Sequence, residues 1–248
     1  MLESRGGRAS AARVWNYWLG GKDHYHADRD LAAALDALDP ALARTAREQR
    51  AFLGRALDRL AGPGGMRQFL DVSVGLPAPG ATHAVVRRRA PGARVVYAGG
   101  DPVVLSHTRA LVSGVAVADG DVADPAALLA EAESLLDLDR PVALVLGSVL
   151  EHVPDDEQAR TIVKEFVHAL APGSHVVLAH LTAERGAADR IARCWNDTAR
   201  PRLTPRCTDQ VRNLFDGLDV LDPGIVPCAA LRPRSAVVTR LCGVGRVR

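Results

Sequence analysis

Two apolar runs, Gln68-Phe69-Leu70-Asp71-Val72 and Arg94-Val95-Val96-Tyr97-Ala98, constrain this chain most, because each breaks into a turn of small and acidic residues. The first continues as Ser73-Val74-Gly75-Leu76-Pro77 and the second as Gly99-Gly100-Asp101-Pro102. An apolar run that stops at an acid and enters a glycine-containing turn predicts a buried strand whose end lets backbone N–H groups approach a ligand. In a nucleotide-binding unit the second strand lies about 25 residues on and ends in a carboxylate for a ribose. Here Ser73 stands at the first turn glycine, and Gly99 stands where that carboxylate is expected.

The same texture recurs along the chain. Residues 68–72, 94–98, 115–118, 141–147 and 175–180 read as strands, separated by Ala- and Leu-rich helical stretches such as 125–136 and 157–170. Pro172-Gly173 is placed to stop the second of these helices. Alternation of this kind predicts an α/β fold with a parallel sheet covered on both faces. After residue 205 the pattern changes to residues 218–221, a Pro223-Gly224 turn and residues 235–241, which reads as a closing antiparallel pair. With 248 residues, 48% apolar, the chain is long enough for one sizeable core. One domain over residues 1–248 is expected, a helical cap in 1–60 leading into a core in 61–248.

Composition excludes several classes. Net charge is +2, and positive residues are interspersed with negative ones, so Arg87-Arg88-Arg89 reads as a solvated helix end and no nucleic-acid partner is expected. Cys194, Cys207, Cys228 and Cys242 lack the spacing of a metal site, and no secretory leader precedes them. They are expected to be reduced thiols in a cytoplasmic protein with neither a metal site nor a disulfide framework. No apolar run reaches the length of a membrane span.

Ahead of the sheet, Trp15, Tyr17, Trp18 and Tyr25 bring four of the ten aromatic side chains into one short segment. Trp15 and Trp18, three apart on a helix, are placed for burial against the body. Gly20-Gly21-Lys22-Asp23-His24 reads differently. A Gly-Gly turn displaying Lys22, Asp23, His24 and Tyr25 can form a lid or pocket wall, since glycine permits close approach and the polar groups supply hydrogen bonds.

Taken together, these motifs resemble an actinobacterial family of class I S-adenosylmethionine (SAM) methyltransferases with an N-terminal R-V-x-x-Y-x-L-G-G-K-D segment, matched here from Arg13 to Asp23. The resemblance extends through Phe52-Leu53-Gly54-Arg55-Ala56, the two turns above, Asp121-Val122-Ala123-Asp124-Pro125 and Leu150-Glu151-His152-Val153-Pro154-Asp155 to Phe215-Asp216-Gly217-Leu218 and Pro223-Gly224. It implies a Rossmann-like fold whose seven-stranded, mostly parallel sheet runs in the order 3-2-1-4-5-7-6, with helices on both faces and an N-terminal helical lid. It also implies SAM as cofactor, lying across the carboxyl ends of the first strands. Asp71, Gly75, Asp101 and Asp121 match the family pattern, while Ser73 and Gly99 depart from it; Val122 is placed to pack on an adenine ring. His83 and His180 fit the pattern as well.

Methyl transfer asks for a positioned nucleophile, exclusion of water and a proton acceptor. The candidate acceptors are Glu151 and His152 after the fourth strand, His180 at the end of the fifth, and Lys22, Tyr17 and His24 in the N-terminal segment. The substrate expected is a small organic molecule of bacterial specialised metabolism. Two other readings stay open at this point. Departures at both main cofactor contacts also suit a SAM-independent enzyme working by general acid/base catalysis on the same scaffold, such as a cyclase, isomerase, lyase or hydrolase. A non-catalytic small-molecule-binding protein would tolerate them too.

Overall fold

The computed structural model describes residues 7–72, 75–183, 187–228 and 238–248. A short strand β1 (Ala9–Ser10) leads into three helices, α1 (Ala11–Trp18), α2 (His26–Leu38) and α3 (Leu42–Ala61). The alternating part follows as β2 (Gln68–Asp71), α4 (Thr82–Arg89), β3 (Arg94–Gly99), α5 (Pro102–Leu111), β4 (Ala116–Asp119), α6 (Pro125–Glu133) and β5 (Ala143–Gly147). A 3-10 turn at Leu150–His152 precedes α7 (Asp156–Ala169), β6 (His175–Ala183), α8 (Ala187–Thr198) and β7 (Ala199–Arg200). The chain closes with α9 (Thr208–Asn213), β8 (Asp219–Val220), β9 (Val226–Pro227) and β10 (Val238–Arg246).

The main sheet runs β4-β3-β2-β5-β6-β10-β8, with β9 also paired to β10. Its first five strands are parallel, and β10 is antiparallel to β6, β8 and β9. Counted from β2 with β9 set aside, this is the order 3-2-1-4-5-7-6 of a class I methyltransferase fold. The closing strand is longer than its sequence signal, because Val238 to Arg246 pairs along the whole of β6.

Period-two alternation builds two cores from the same strands. Leu70, Val96, Leu144, Leu146, Val176 and Leu178 face α6 and α7, where Leu128, Ile162 and Phe166 fill the layer together with Phe215. Their neighbours Phe69, Val95, Tyr97, Val145 and Val177 face α3 and α4, against Leu53, Leu57, Val85 and Val86. A separate apolar cluster joins Val14, Trp18, Leu31, Leu35, Leu42, Ile191 and Trp195 of α1, α2, α3 and α8, and reaches the sheet through Leu181. As expected for i,i+3 aromatics, Trp15 and Trp18 pack edge to face, with centroids 6.1 Å apart. The cap is fastened by Asp28, fully buried, which accepts hydrogen bonds from the backbone of Ser10 (2.9 Å) and Tyr25 (2.7 Å) and pairs with Arg13 Nε at 2.7 Å.

The expectation of four reduced thiols is corrected: Cys228 and Cys242 form a disulfide, their Cα atoms 5.5 Å apart. Pairing of β9 with β10, continued by the Cys228 N–H to the Arg240 carbonyl at 2.8 Å, brings together residues that a separation of 14 in sequence leaves apart. Cys194 and Cys207 are free. No helix among the described residues is long and apolar enough to cross a membrane.

Gly245 of β10 is tightly packed: a Cβ added there would lie 2.8 Å from Leu218 Cβ. Gly245→Ala is therefore expected to destabilise the fold by about 1–3 kcal/mol through overpacking, read as a lower urea midpoint at unchanged m-value. An unchanged midpoint would show that the Leu218 turn yields freely.

Candidate active site

The strands β3 and β5 lead away from β2 in opposite directions, so the carboxyl ends of these strands frame the crevice in which open α/β sheets bind ligands. Two cavities of about 220 and 600 Å³ lie there and share Ser10, Val72, Gly99, Gly100, Asp101, Val149, His152 and Pro201 as walls. They are two ends of one cleft. The smaller end lies over Asp71 and Gly75, bounded by Trp15 of α1 and by Gln49, Arg50 and Leu53 of α3. The larger end reaches Asp121 and Val122 beyond β4.

Six of the residues singled out for cofactor contact, Asp71, Gly75, Gly99, Asp101, Asp121 and Val122, line this cleft, as does His83; Ser73 lies outside the described residues. Asp71 closes β2 and accepts the Thr82 hydroxyl at 2.6 Å. Opposite it in the β2–β3 register stands Tyr97, whose hydroxyl accepts the His83 backbone N–H at 3.0 Å and lies 2.7 Å from His83 Nδ1. Burial, and then the Asp71 charge, push the Tyr97 phenol well above its ordinary pKa, so it stays protonated. β3 ends in Gly99 with no side chain to offer a ribose. Asp101 does not swing freely toward the gap: its Oδ1 caps α5, accepting from Val103 N at 2.9 Å and Val104 N at 3.3 Å. The residue is nevertheless exposed in the cleft. Asp121 is fixed by its own turn, accepting Ala123 N at 2.9 Å.

Of the candidate proton acceptors, His152 alone lines both cavities. Its Nδ1 lies 2.8 Å from the Arg202 carbonyl, which can only accept, so the proton resides on Nδ1 and Nε2 keeps a lone pair. Burial pushes its pKa down, with the Glu151 carboxylate pulling the other way, and the ring stays neutral. Glu151 and His180 are placed elsewhere. Glu151 is 1% exposed and paired to Arg240 at 2.9 Å, and it also accepts the Leu181 N–H at 3.0 Å. Burial acts to raise its carboxyl, but Arg240, His152 and His180 together hold it below the ordinary value. His180 is fully buried, with Nδ1 2.7 Å from the Leu181 carbonyl and Nε2 2.9 Å from Arg206. Since that guanidinium can only donate, Nε2 accepts, and burial brings the ring's pKa down to about 4. Neither group reaches the two cavities.

Lys22, Tyr17 and His24 do not line the cleft. Tyr17 and His24 meet edge to face at 5.0 Å, and His24 Nδ1 accepts from Arg29 at 3.2 Å. The Gly-Gly turn, read above as a lid or pocket wall, has a local reason. Gly20 adopts a φ of 79°, the Gly21 N–H bonds the Asn16 carbonyl at 2.8 Å, and a Cβ on Gly21 would overlap the Asn16 side chain. The cleft wall comes instead from Ser10 to Trp15, earlier in the same segment.

Sequence reasoning missed Gln49, Arg50, Ser148 and Arg240. Ser148 follows β5 in the left-handed region, at φ 66°, a conformation that surrounding bonds must hold. Its N–H donates to the Ala179 carbonyl (2.9 Å), its Oγ donates to Gln49 Oε1 (2.9 Å), and it accepts from Arg240 (2.6 Å). Arg50 lines the smaller cavity. Burial draws its pKa down while Asp71, and after it Tyr97, pull it back up. Helical spacing offered a signal for α3, since Gln49, Leu53 and Leu57 share its buried face; nothing in the local sequence pointed to Arg240. Among the described residues, no cluster of three or more His, Cys, Asp or Glu is placed to hold a metal.

The model of a family described as S-adenosyl methyltransferase matches residues 4–245. Among solved structures, a DUF574 family protein from Streptomyces avermitilis MA-4680 is 31% identical with a TM-score of 0.89, covering 97% of this chain and 98% of its own. A candidate methyltransferase from Thermobifida fusca YX is 32% identical with a TM-score of 0.88, covering 98% and 97%. More distantly, the N-methyltransferase NodS from Bradyrhizobium japonicum WM9, solved with S-adenosyl-L-homocysteine (SAH), shares the fold at 17% identity, with a TM-score of 0.55 over 95% of this chain and 98% of its own. No functionally curated protein matches.

Two expectations follow from the buried charges. Because the folded His180 pKa of about 4 lies below its unfolded value of about 6.5, the unfolded chain binds the extra proton between these values. Its contribution, about 3 kcal/mol, is complete above pH 6.5 and lost as pH falls toward 4. His180→Gln should therefore flatten the decline in urea midpoint over that window; parallel curves would refute the assignment. Glu151→Gln, which leaves Arg240 without its counter-charge, should cost about 3–5 kcal/mol, whereas Glu151→Leu with Arg240→Met should recover most of it.

Proposed function

The chain belongs to the S-adenosyl methyltransferase family, and from that premise we propose that it is a SAM-dependent enzyme methylating a small organic molecule of bacterial specialised metabolism. The observation that carries this reading is the continuity of the cleft, along which Asp71, Gly75, Asp101, Asp121 and Val122 stand in the order a stretched adenosyl amino acid requires. Its volumes, about 220 and 600 Å³, fall in the range of small-molecule sites. The residues fit the cofactor. When SAM is bound, Asp121 would accept from the adenine amino group, Val122 would pack on the ring, the open carboxylate edge of Asp101 would serve the ribose in place of the missing side chain at Gly99, and Asp71 with the Gly75 turn would hold the amino-acid end. When bound, SAM supplies an electrophilic methyl group.

The protein's own chemistry is positioning and proton transfer. Trp15, Leu53 and Leu76 give the cleft apolar walls that exclude water and suit a small acceptor. His152 Nε2, kept free by the Arg202 carbonyl, takes the proton released by the acceptor's oxygen or nitrogen. In this reading the protein is cytoplasmic, has no nucleic-acid partner, and forms one domain in which residues 1–60 cap the core. The two similar structures, from Streptomyces avermitilis and Thermobifida fusca, support membership of a methyltransferase family; that its members are actinobacterial and share the segment from Arg13 to Asp23 is part of the proposal.

Gly99 favours one other reading, a SAM-independent acid/base enzyme using His152 in a cleft relieved of its cofactor. Calorimetric titration with SAH separates the two. The methyltransferase reading expects a dissociation constant below about a millimolar, abolished in Asp121→Ala; absence of heat favours the other. Restoring Ser73→Gly with Gly99→Asp should add about 3–5 kcal/mol, two to three and a half powers of ten in affinity.

A further inference from the structure

The side chain of Gln49, on α3, has one half of its amide fully engaged and the other half idle beside the cleft. We propose that the idle half reads the methyl acceptor, and that this acceptor is a small aromatic hydroxy-carbonyl compound. Gln49 Nε2 donates to its carbonyl oxygen, Trp15 carries its ring, and its phenolic hydroxyl faces His152. The assignment rests on the SAM reading above.

The amide is oriented by its partners. Arg240 can only donate, so the Gln49 atom 3.1 Å from its Nη1 is the carbonyl oxygen Oε1. That oxygen also accepts the Ser148 hydroxyl at 2.9 Å, while Ser148 accepts from Arg240 at 2.6 Å. Turning the amide over would set its N–H groups against a guanidinium. Nε2, the other arm, donates to no acceptor among the described residues and is not sealed from solvent. Gln49 is 3% exposed and lines the smaller cavity with Trp15, Leu53, Ser148 and His152. A rigid donor left unpaired in a nearly closed site selects a ligand that brings an acceptor, because an analogue lacking one leaves the donor buried and unmet.

The neighbouring walls narrow the class. Arg240 stacks over Trp15 at 4.5 Å without itself lining the cleft, and Trp18 packs edge to face on the same ring. The half-buried indole is thus a fixed apolar surface suited to a flat partner, and Leu53 and Pro201 extend it. His152 adds the chemical demand. Burial lowers its basicity against the pull of Glu151, so its free Nε2 is better matched to the acidic hydroxyl of a phenol than to that of an aliphatic alcohol.

The test is calorimetric titration of the full chain, with SAH at saturation and again without it, using the ortho, meta and para hydroxyacetophenones and the ethylphenols of the same substitution. Members of a pair differ by a carbonyl oxygen against two hydrogens, so the ratio of their affinities reports the contact with Gln49 and not the stability of the variant. In the wild-type protein at least one hydroxyacetophenone should bind about tenfold more tightly than its ethylphenol. Gln49→Glu keeps an oxygen for Ser148 and Arg240 but turns the donor into an acceptor, and Gln49→Met removes the donor without adding charge. Both should abolish the preference, whereas Trp15→Leu should weaken both members of a pair alike. No wild-type preference for the ketone in any pair, or a preference that survives in both Gln49 variants, overturns the assignment of Gln49. Failure of every phenol to bind while SAH binds overturns the substrate class and leaves the SAM reading standing. A ketone preference without any SAH heat overturns the SAM reading instead, and with it the role of this ligand as a methyl acceptor.

Discussion

The buried ion pair between Arg240 and Glu151 ties the cleft together. Arg240 comes from the closing strand β10, Glu151 from the turn after β5, and the same guanidinium reaches Ser148 and Gln49 while stacking over Trp15 at 4.5 Å. Four segments far apart in the chain therefore meet on one side chain. A pair of charges taken out of water holds only where neighbouring donors and acceptors complete its hydrogen bonding. The Leu181 N–H, the Ser148 hydroxyl and the Gln49 carbonyl oxygen supply most of it here, while Arg240 Nε has no hydrogen-bond partner among the described residues. The left-handed backbone at Ser148 is held by the same set of bonds.

Glu151 and His152 show how adjacent residues part company. The carboxylate turns inward to Arg240, and the imidazole turns to the cleft, oriented by the carbonyl of Arg202. A second buried arginine, in the segment between β7 and α9, does comparable work. Arg206 bonds the carbonyls of Leu150 and Val153, the ring of His180 and the carboxylate of Asp156, anchoring the turn that carries His152 to the start of α7. The functional edge of the parallel sheet is thus braced by residues from the last third of the chain, and His180 belongs to that bracing.

What could be read from the sequence follows the range of the forces involved. Strand positions were legible because alternate residues must face two different cores, and β2, β3, β5 and β6 begin or end within two residues of the expected limits for that reason, apart from the three-residue extension at the end of β6. Cleft-lining positions such as Asp71, Gly99, Asp101 and Asp121 were legible because they sit at strand ends or in the turns directly after strands. Arg240 was not: its partner Gln49 lies 191 residues away, and only strand order brings them together. Polar residues at strand ends, Glu151 and His180 among them, look alike in sequence whether they face a cleft or a counter-charge; burial decides. The Gly20-Gly21 turn was legible as a turn, but its demand for glycine comes from Asn16 rather than from a ligand. The disulfide escaped for the same long-range reason as Arg240, since the β9–β10 register sets it.

The small parallel ladder of β1 and β7 joins Ala9 to Ala199 and Ser10 to Arg200. Ser10 and the neighbouring Pro201 roof the seam where the two ends of the cleft meet. A ladder two residues deep is the kind of local structure that opens at far lower free energy than the sheet beneath it. The roof of the cleft is thereby held by far fewer backbone bonds than its floor, which is made of the ends of β2, β3 and β5.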